Sequence, residues 1–245
     1  MSRRGTLLSG WTLAVLGIAL FARLGFWQLE RMHEKQAMLD AVHATLLVRR
    51  PQPLMSAADP QRVHGYDWTT ADGHFVAAPA LLLDNQQHDG RSGARAYRVF
   101  QSDDARIAPV LADLGWLPVP GNRRMPAVAR IDGARHVAGL LAPPPSAGFV
   151  RAVVVPQGDG SLLATSLDIA MLRDTLHLPT LAPRVLKLDP ALPIGYARDL
   201  EILPNTLPPE RHLGYAVQWF GLALTVLATA LVLTFRKQPG AHRTP

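Results

Sequence analysis

The sequence predicts a membrane α+β protein: a transmembrane helix near each end, flanking a β-rich, largely antiparallel and barrel-like domain outside the cytoplasm. Three observations predict it. Residues 6–26 and 214–235 are apolar runs long enough to cross a bilayer, which takes about 20 residues at 1.5 Å rise. Between them, short β-prone pieces recur, separated by Pro, Gly and Asp. Basic residues gather at the outer ends of the two runs, Arg3 and Arg4 at one and Arg236, Lys237 and Arg243 at the other.

Composition agrees. A chain of 245 residues has room for one domain of ordinary size and a few further elements. Its residues are 48% apolar, yet mean hydropathy is only slightly positive, so a soluble body with a few greasy segments is expected. The absence of cysteine excludes disulfides, CxxC redox chemistry, thiolate zinc sites, iron–sulfur clusters and paired-thiol copper chaperones. The net charge of +6 comes mostly from scattered arginines, and basic membrane flanks account for part of it. No aromatic-basic module accompanies the charge, so nucleic acid is not an expected partner.

The first run, Thr6 to Ala22, continues past Arg23 to Phe26 if that arginine snorkels to the interface, where Trp27 is a fitting aromatic. A cleaved signal peptide is the alternative, with Arg3 and Arg4 as its basic head and Leu7 to Leu20 as its core. No small-x-small site follows, and residues 27–43 continue as an amphipathic helix through Leu29, Met32 and Leu39, which favours an uncleaved anchor. The second run, Gly214 to Phe235, carries no charge. The positive-inside rule then places residues 1–5 and 236–245 in the cytoplasm and residues 44–211 in the periplasm of a bacterium, the chain crossing the inner membrane twice.

Within the middle domain the expected strand pieces are Val63–Thr70, His74–Val76, Ala80–Asp84, Ala96–Gln101, Ala108–Trp116, His136–Leu141, Val150–Val155 and Pro183–Leu188. Asp72-Gly73, Asp89-Gly90 and Asp132-Gly133 are hairpin-type dipeptides. One helix is expected over Leu167–Leu178, capped by Ser166, with Ile169, Leu172 and Leu176 on its apolar face. Pro143–Pro145 and Pro204–Pro209 read as irregular connectors.

Nothing in the sequence points to an enzyme. No GxSxG elbow, Walker loop, GxGxxG turn or HExxH is present. The nine histidines include no i, i+4 pair; His64 and His74 could meet across a hairpin, but without a third ligand. Asp103-Asp104 is more simply a solvated turn than an acid/base pair.

The informative residues flank the two spans. Gln28, Arg31 and Lys35 fall at i, i+3 and i+7 and share a helical face. His212, Tyr215 and Trp219 likewise fall on one face, with two aromatics able to stack on a flat ligand. His212 has two readings: an interfacial polar residue, or an axial ligand to haem iron with Arg31, Lys35 or Arg211 on the propionates. Tyr215 and Trp219 can equally form an ordinary aromatic belt.

The run Gly25-Phe26-Trp27-Gln28-Leu29-Glu30-Arg31, with Lys35, resembles the G-x-W-Q-L-x-R-x-x-x-K signature of the Surfeit locus family. The run His212-Leu213-Gly214-Tyr215-Ala216-Val217-Gln218-Trp219-Phe220 resembles that family's second signature, H-L-x-Y-A-x-Q-W-F. Between them, Asp84-Asn85 with Asp89-Gly90-Arg91-Ser92-Gly93 resembles its D-N…G-x-x-G turn, and Gly115-Trp116-Leu117-Pro118 its R-G-W-x-P strand. The resemblance implies a membrane assembly factor for haem–copper cytochrome c oxidase that holds haem a and supports its insertion into subunit I, with subunit I and other assembly factors as partners and lipid around the helices. It also implies His212 as haem-iron ligand, with Trp27, Gln28, Arg31, Tyr215 and Trp219 around the pocket or at the helix–helix contact. This chain departs from the pattern at Asp113 and Leu114, where the family has asparagine and arginine, and at Pro208-Pro209-Glu210-Arg211 before the histidine. A scaffold that binds no haem and stabilises an early oxidase intermediate is the alternative; a tethered periplasmic enzyme or sensor is the third.

Overall fold

A computed structural model of the chain describes residues 3–145, 152–203 and 207–236. It divides into two compact units, one made of residues 1–38 with 207–245, the other of residues 39–206.

The first unit is a pair of packed helices. Helix α1 (Arg3–Val48) is one uninterrupted rod, so the span expected over 6–26 and the amphipathic helix expected over 27–43 are one element. No proline falls within it. It ends where Arg49 turns left-handed (φ 45°) two residues before Pro51, the usual exit for a helix. Its partner, the last helix of the chain (Pro209–Phe235, α3 below), starts with Pro209 in its first turn, where a missing N–H does no harm. Both are long and apolar enough to cross a membrane. Their contacts run along the pair: Trp11 Nε1 donates to Thr234 Oγ1 at 3.0 Å, Phe21 stacks on Trp219 with centroids 5.7 Å apart, and Gly25 lies against the Phe220 ring. A Cβ on Gly25 would come within 2.7 Å of that ring, so glycine here permits the close approach that packing between apolar helices relies on.

Among the described residues the second unit is built on eight strands: β1 (Asp67–Phe75), β2 (Leu81–His88), β3 (Arg91–Ser102), β4 (Val110–Pro118), β5 (Ala134–Ala142), β6 (Val154–Pro156), β7 (Leu162–Ala164) and β8 (Val185–Leu188). They form one mixed, mostly antiparallel sheet in the order β1-β5-β8-β4-β3-β2-β7-β6. The end of β1 also pairs with β3, Phe75 opposite Phe100, which closes β1-β5-β8-β4-β3 into a ring. Numbered in chain order, the ring strands run 1-2-3-5-4-1 with the third and fifth parallel, the connectivity of an OB-type Greek-key barrel. The barrel expectation is met. Ala94, Phe100, Ala112, Leu114, Val137, Leu141 and Leu186 belong to one buried cluster. Tyr97, Val99, Leu111 and Val185, on the opposite face of the same strands, pack with Leu162, Ala164 and a short helix α2 (Ile169–Thr175) in a second. Both faces are therefore buried, which is why these strands read as continuous apolar runs.

Several local expectations are corrected. Asp72-Gly73 is not a turn but lies inside β1, where Gly73 faces the Gln101 carbonyl too closely for any side chain. The pieces Val63–Thr70 and His74–Val76 thus contribute to one strand, and the hairpin that would have brought His64 to His74 does not exist. Asp132-Gly133 precedes β5 without joining two strands. Asp89-Gly90 does make the β2–β3 hairpin, both residues at positive φ (49° and 72°). Helix α2 is shorter than expected and is capped by Asp168, whose carboxylate accepts from the Ala170 and Met171 amides, while Ser166 is buried upstream. The start of Val150–Val155 and Pro204 lie outside the described residues.

The middle motifs meet at one end of the barrel. Asp84-Asn85 forms an irregularity in β2, with Asn85 at φ 56°. Trp116 Nε1 donates to the Gln86 carbonyl at 3.0 Å, and its ring packs against Gly93, where a Cβ would come within 2.5 Å. Gly115, at φ 112°, sits at the β3–β4 bulge with the Ala197 carbonyl close behind it. Gly115→Ala must therefore strain the backbone and collide with a carbonyl. The expected loss is about 1–3 kcal/mol, read as a drop of several degrees in the Tm of the detergent-purified chain; an unchanged Tm would contradict the assignment.

Candidate functional site

The site lies in the helix pair, next to the start of α3 (Pro209–Phe235). Along α1, residues Phe21, Gly25, Gln28 and Lys35 recur at helical spacing toward the partner helix. Along α3, His212, Ala216 and Ala223 are buried and Trp219 is half-buried on the answering face.

His212 is 7% exposed. Its Nδ1 lies 2.7 Å from Gln28 Oε1, a bond between residues 184 apart in the chain. Its Nε2 is buried and has no hydrogen-bond partner among the described residues. Two helical turns along α1 from Gln28, the buried Lys35 ammonium donates to the Leu207 carbonyl at 2.6 Å, just before α3 begins. Gln28 and Lys35 thus clasp the entry of α3 at two points.

Both groups stand outside the apolar runs 6–26 and 214–235. Burial lowers His212 below the ordinary histidine value, and the nearby Lys35 and Arg31 cations push it the same way, so the imidazole is neutral. Lys35 is lowered by burial and by Arg31.

The other expected residues are distributed differently. Trp219 is turned to the helix contact and stacks on Phe21. Tyr215 and Trp27 are 42% and 50% exposed. Arg31 is exposed and paired with Glu34 on its own helix. Lys35 is engaged by a backbone carbonyl, which leaves Arg31 and Arg211 as the exposed cations of the expected propionate set. The Leu207 carbonyl was not foreseen; a backbone acceptor has no side-chain signature in a sequence.

The donor set suits one axial ligand to a haem. A neutral imidazole protonated on Nδ1 presents a lone pair on Nε2, and the bond to Gln28 fixes the ring orientation, the usual arrangement of a histidine ligand. Among the described residues there is no group of three or more His, Cys, Asp or Glu that could hold a metal ion by itself.

A model of the SURF1 family matches residues 15–224. A SURF1-like protein of Rickettsia felis is 22% identical over 229 residues, covering 89% of this chain and 93% of that protein. A SURF1-like protein of Rickettsia conorii is 22% identical over 228 residues, covering 90% and 89%.

Proposed function

The chain belongs to the SURF1 family, and from that premise we propose that it is an assembly factor for haem–copper cytochrome c oxidase, not an enzyme, that binds haem a transiently and supports its delivery to subunit I. The observation that carries the reading is the buried, partnerless Nε2 of His212 with Nδ1 held by Gln28. His212 would supply the axial ligand. Exposed Tyr215 and Trp27 offer aromatic surface nearby, and Arg31 and Arg211 offer charge for the propionates. When bound, the haem supplies only its iron–ligand chemistry; the protein's part is to hold it and release it.

In this reading residues 6–26 and 214–235 span the inner membrane, both ends of the chain are cytoplasmic and the β-rich domain is periplasmic. Basic residues outside each span support that orientation. Subunit I and further assembly factors are the partners.

A second reading draws on the same residue. Because His212 is buried and bonded across the helix pair, it could serve packing alone in a scaffold that binds no haem. The two are separated in cells that depend on the protein for oxidase. His212→Gln retains an amide able to bond Gln28 but provides no imidazole for iron. Under the haem reading His212→Ala and His212→Gln both lower the haem a content and activity of the oxidase at least tenfold while the protein stays in the membrane. Normal oxidase in His212→Gln would overturn it in favour of the scaffold.

A further inference from the structure

We infer that Gln28 sets the tautomer of His212, holding the proton on Nδ1 and leaving Nε2 as a free acceptor; as a device for haem binding, this rests on the proposed function above. Neutral imidazole has a single N–H. Nδ1 lies 2.7 Å from the amide oxygen of Gln28, which only accepts, so the proton between them belongs to Nδ1. The other tautomer fails in either amide orientation. With Oε1 toward the ring, two lone pairs would face each other at hydrogen-bond distance. With the amide reversed, its NH2 could donate to Nδ1, but an N–H on Nε2 would then be a buried donor with no acceptor. A buried donor without an acceptor is among the least tolerated groups in a protein interior, whereas an imidazole lone pair left open is what a metal takes up.

The surroundings reinforce the assignment. Lys35, whose charge acts on His212, donates to the Leu207 carbonyl, and Nε2 has no donor on it among the described residues. Gln28 is itself fixed by its place on α1, one turn beyond Gly25 and its close contact with Phe220. Glutamine at this position is thus a positioning residue: it acts on the ligand atom through the imidazole and need not touch the haem.

Its role differs from plain helix packing in a way that spectroscopy reads directly. The full chain, labelled with 15N-histidine and purified in detergent without haem, is expected to show His212 as the Nδ1–H tautomer. Gln28→Leu, which keeps size but offers no acceptor, should shift His212 toward the Nε2–H form or a mixture. Gln28→Glu, which keeps an acceptor oxygen, should restore the Nδ1–H form. Titration with haemin should then show affinity reduced about tenfold or more in Gln28→Leu, as for loss of the partner of a ligating histidine. In Gln28→Glu the bound haem should have a more negative midpoint potential than in the wild type. A wild-type His212 protonated at Nε2, or a tautomer indifferent to Gln28→Leu, would overturn the inference even if haemin binds. An Nδ1–H tautomer that depends on Gln28, in a chain that binds no haemin, would instead sink the haem reading and leave the control of the tautomer standing.

Discussion

Arg184→Ala is expected to destabilise the β-rich unit by about 3–5 kcal/mol, the range for breaking a buried, charge-assisted network. The Arg184 side chain is fully buried just before β8. Its guanidinium donates to Asp67 Oδ2 at 2.7 Å, the Gly65 carbonyl at 2.8 Å and the Leu141 carbonyl at 2.9 Å. It therefore ties the segment entering β1 to the end of β5, fixing two ring strands in their register. Truncation strands the buried Leu141 carbonyl, strips the half-buried Gly65 carbonyl of its donor and weakens the hold on Asp67, whose remaining ion-pair partner among the described residues is Arg62 at 3.1 Å. Lysine keeps the charge but not the fork of donors, so Arg184→Lys should recover only part of the loss. For a unit of this size the alanine variant corresponds to a fall in Tm on the order of 10 °C; a fall of only a degree or two would show that the network is not what pins these strands.

Asp113→Ala is expected to cost a similar amount, about 3–5 kcal/mol, for a different reason. Asp113 is buried on β4 and accepts from Arg95 Nη1 at 2.8 Å on β3, from Lys187 Nζ at 3.5 Å on β8 and from the Gly115 amide at 3.0 Å. One carboxylate thus answers two buried cations on the strands either side of it. Removing it takes the ion-pair partner from Lys187, leaves Arg95 with the more distant Asp199 carboxylate at 3.7 Å, and frees the bulge at Gly115. Removing Lys187 instead is far milder. Burial lowers its pKa despite the attraction of Asp113, so the ammonium is held there against its own desolvation. Lys187→Met should change stability by no more than about 1 kcal/mol, and in an Asp113→Ala background it should restore part of the lost stability. Chemical unfolding of the four proteins gives the cycle; additive losses would contradict a shared network.

These two networks also show what can be read from a single sequence. The apolar runs of both long helices and the apolar stretches of β3 and β4 were legible because burial imposes their periodicity and length. The glycines were visible but ambiguous. Asp89-Gly90 is a turn because the chain must reverse there, whereas Gly73 is a glycine because the neighbouring strand comes too close for a side chain. Strand β7 has only three residues and exists by pairing in parallel with β2, so no local pattern announces it. The sequence suggests Ser166 as the cap of α2, but Ser166 and Leu167 are buried and the helix starts later, capped by Asp168. At the site, Gln28, Lys35 and His212 could be singled out from helical spacing and from the resemblance. Their partnership could not be, because Gln28 and His212 are 184 residues apart and pair only when the two helices pack. Tyr215 shares helical spacing with His212, yet it is far more exposed, since spacing places a residue on a face but does not say how much of that face the neighbouring helix covers.

Ligation of haem iron by His212 would be read from the absorption spectrum of the full chain. Wild type and His212→Ala should be coexpressed with haem a synthesis and purified side by side in detergent. A haem a spectrum that accompanies the wild type and is lost from the folded alanine variant is the result predicted. A chain that carries no haem a, or one whose haem a spectrum survives in His212→Ala, would contradict the assignment.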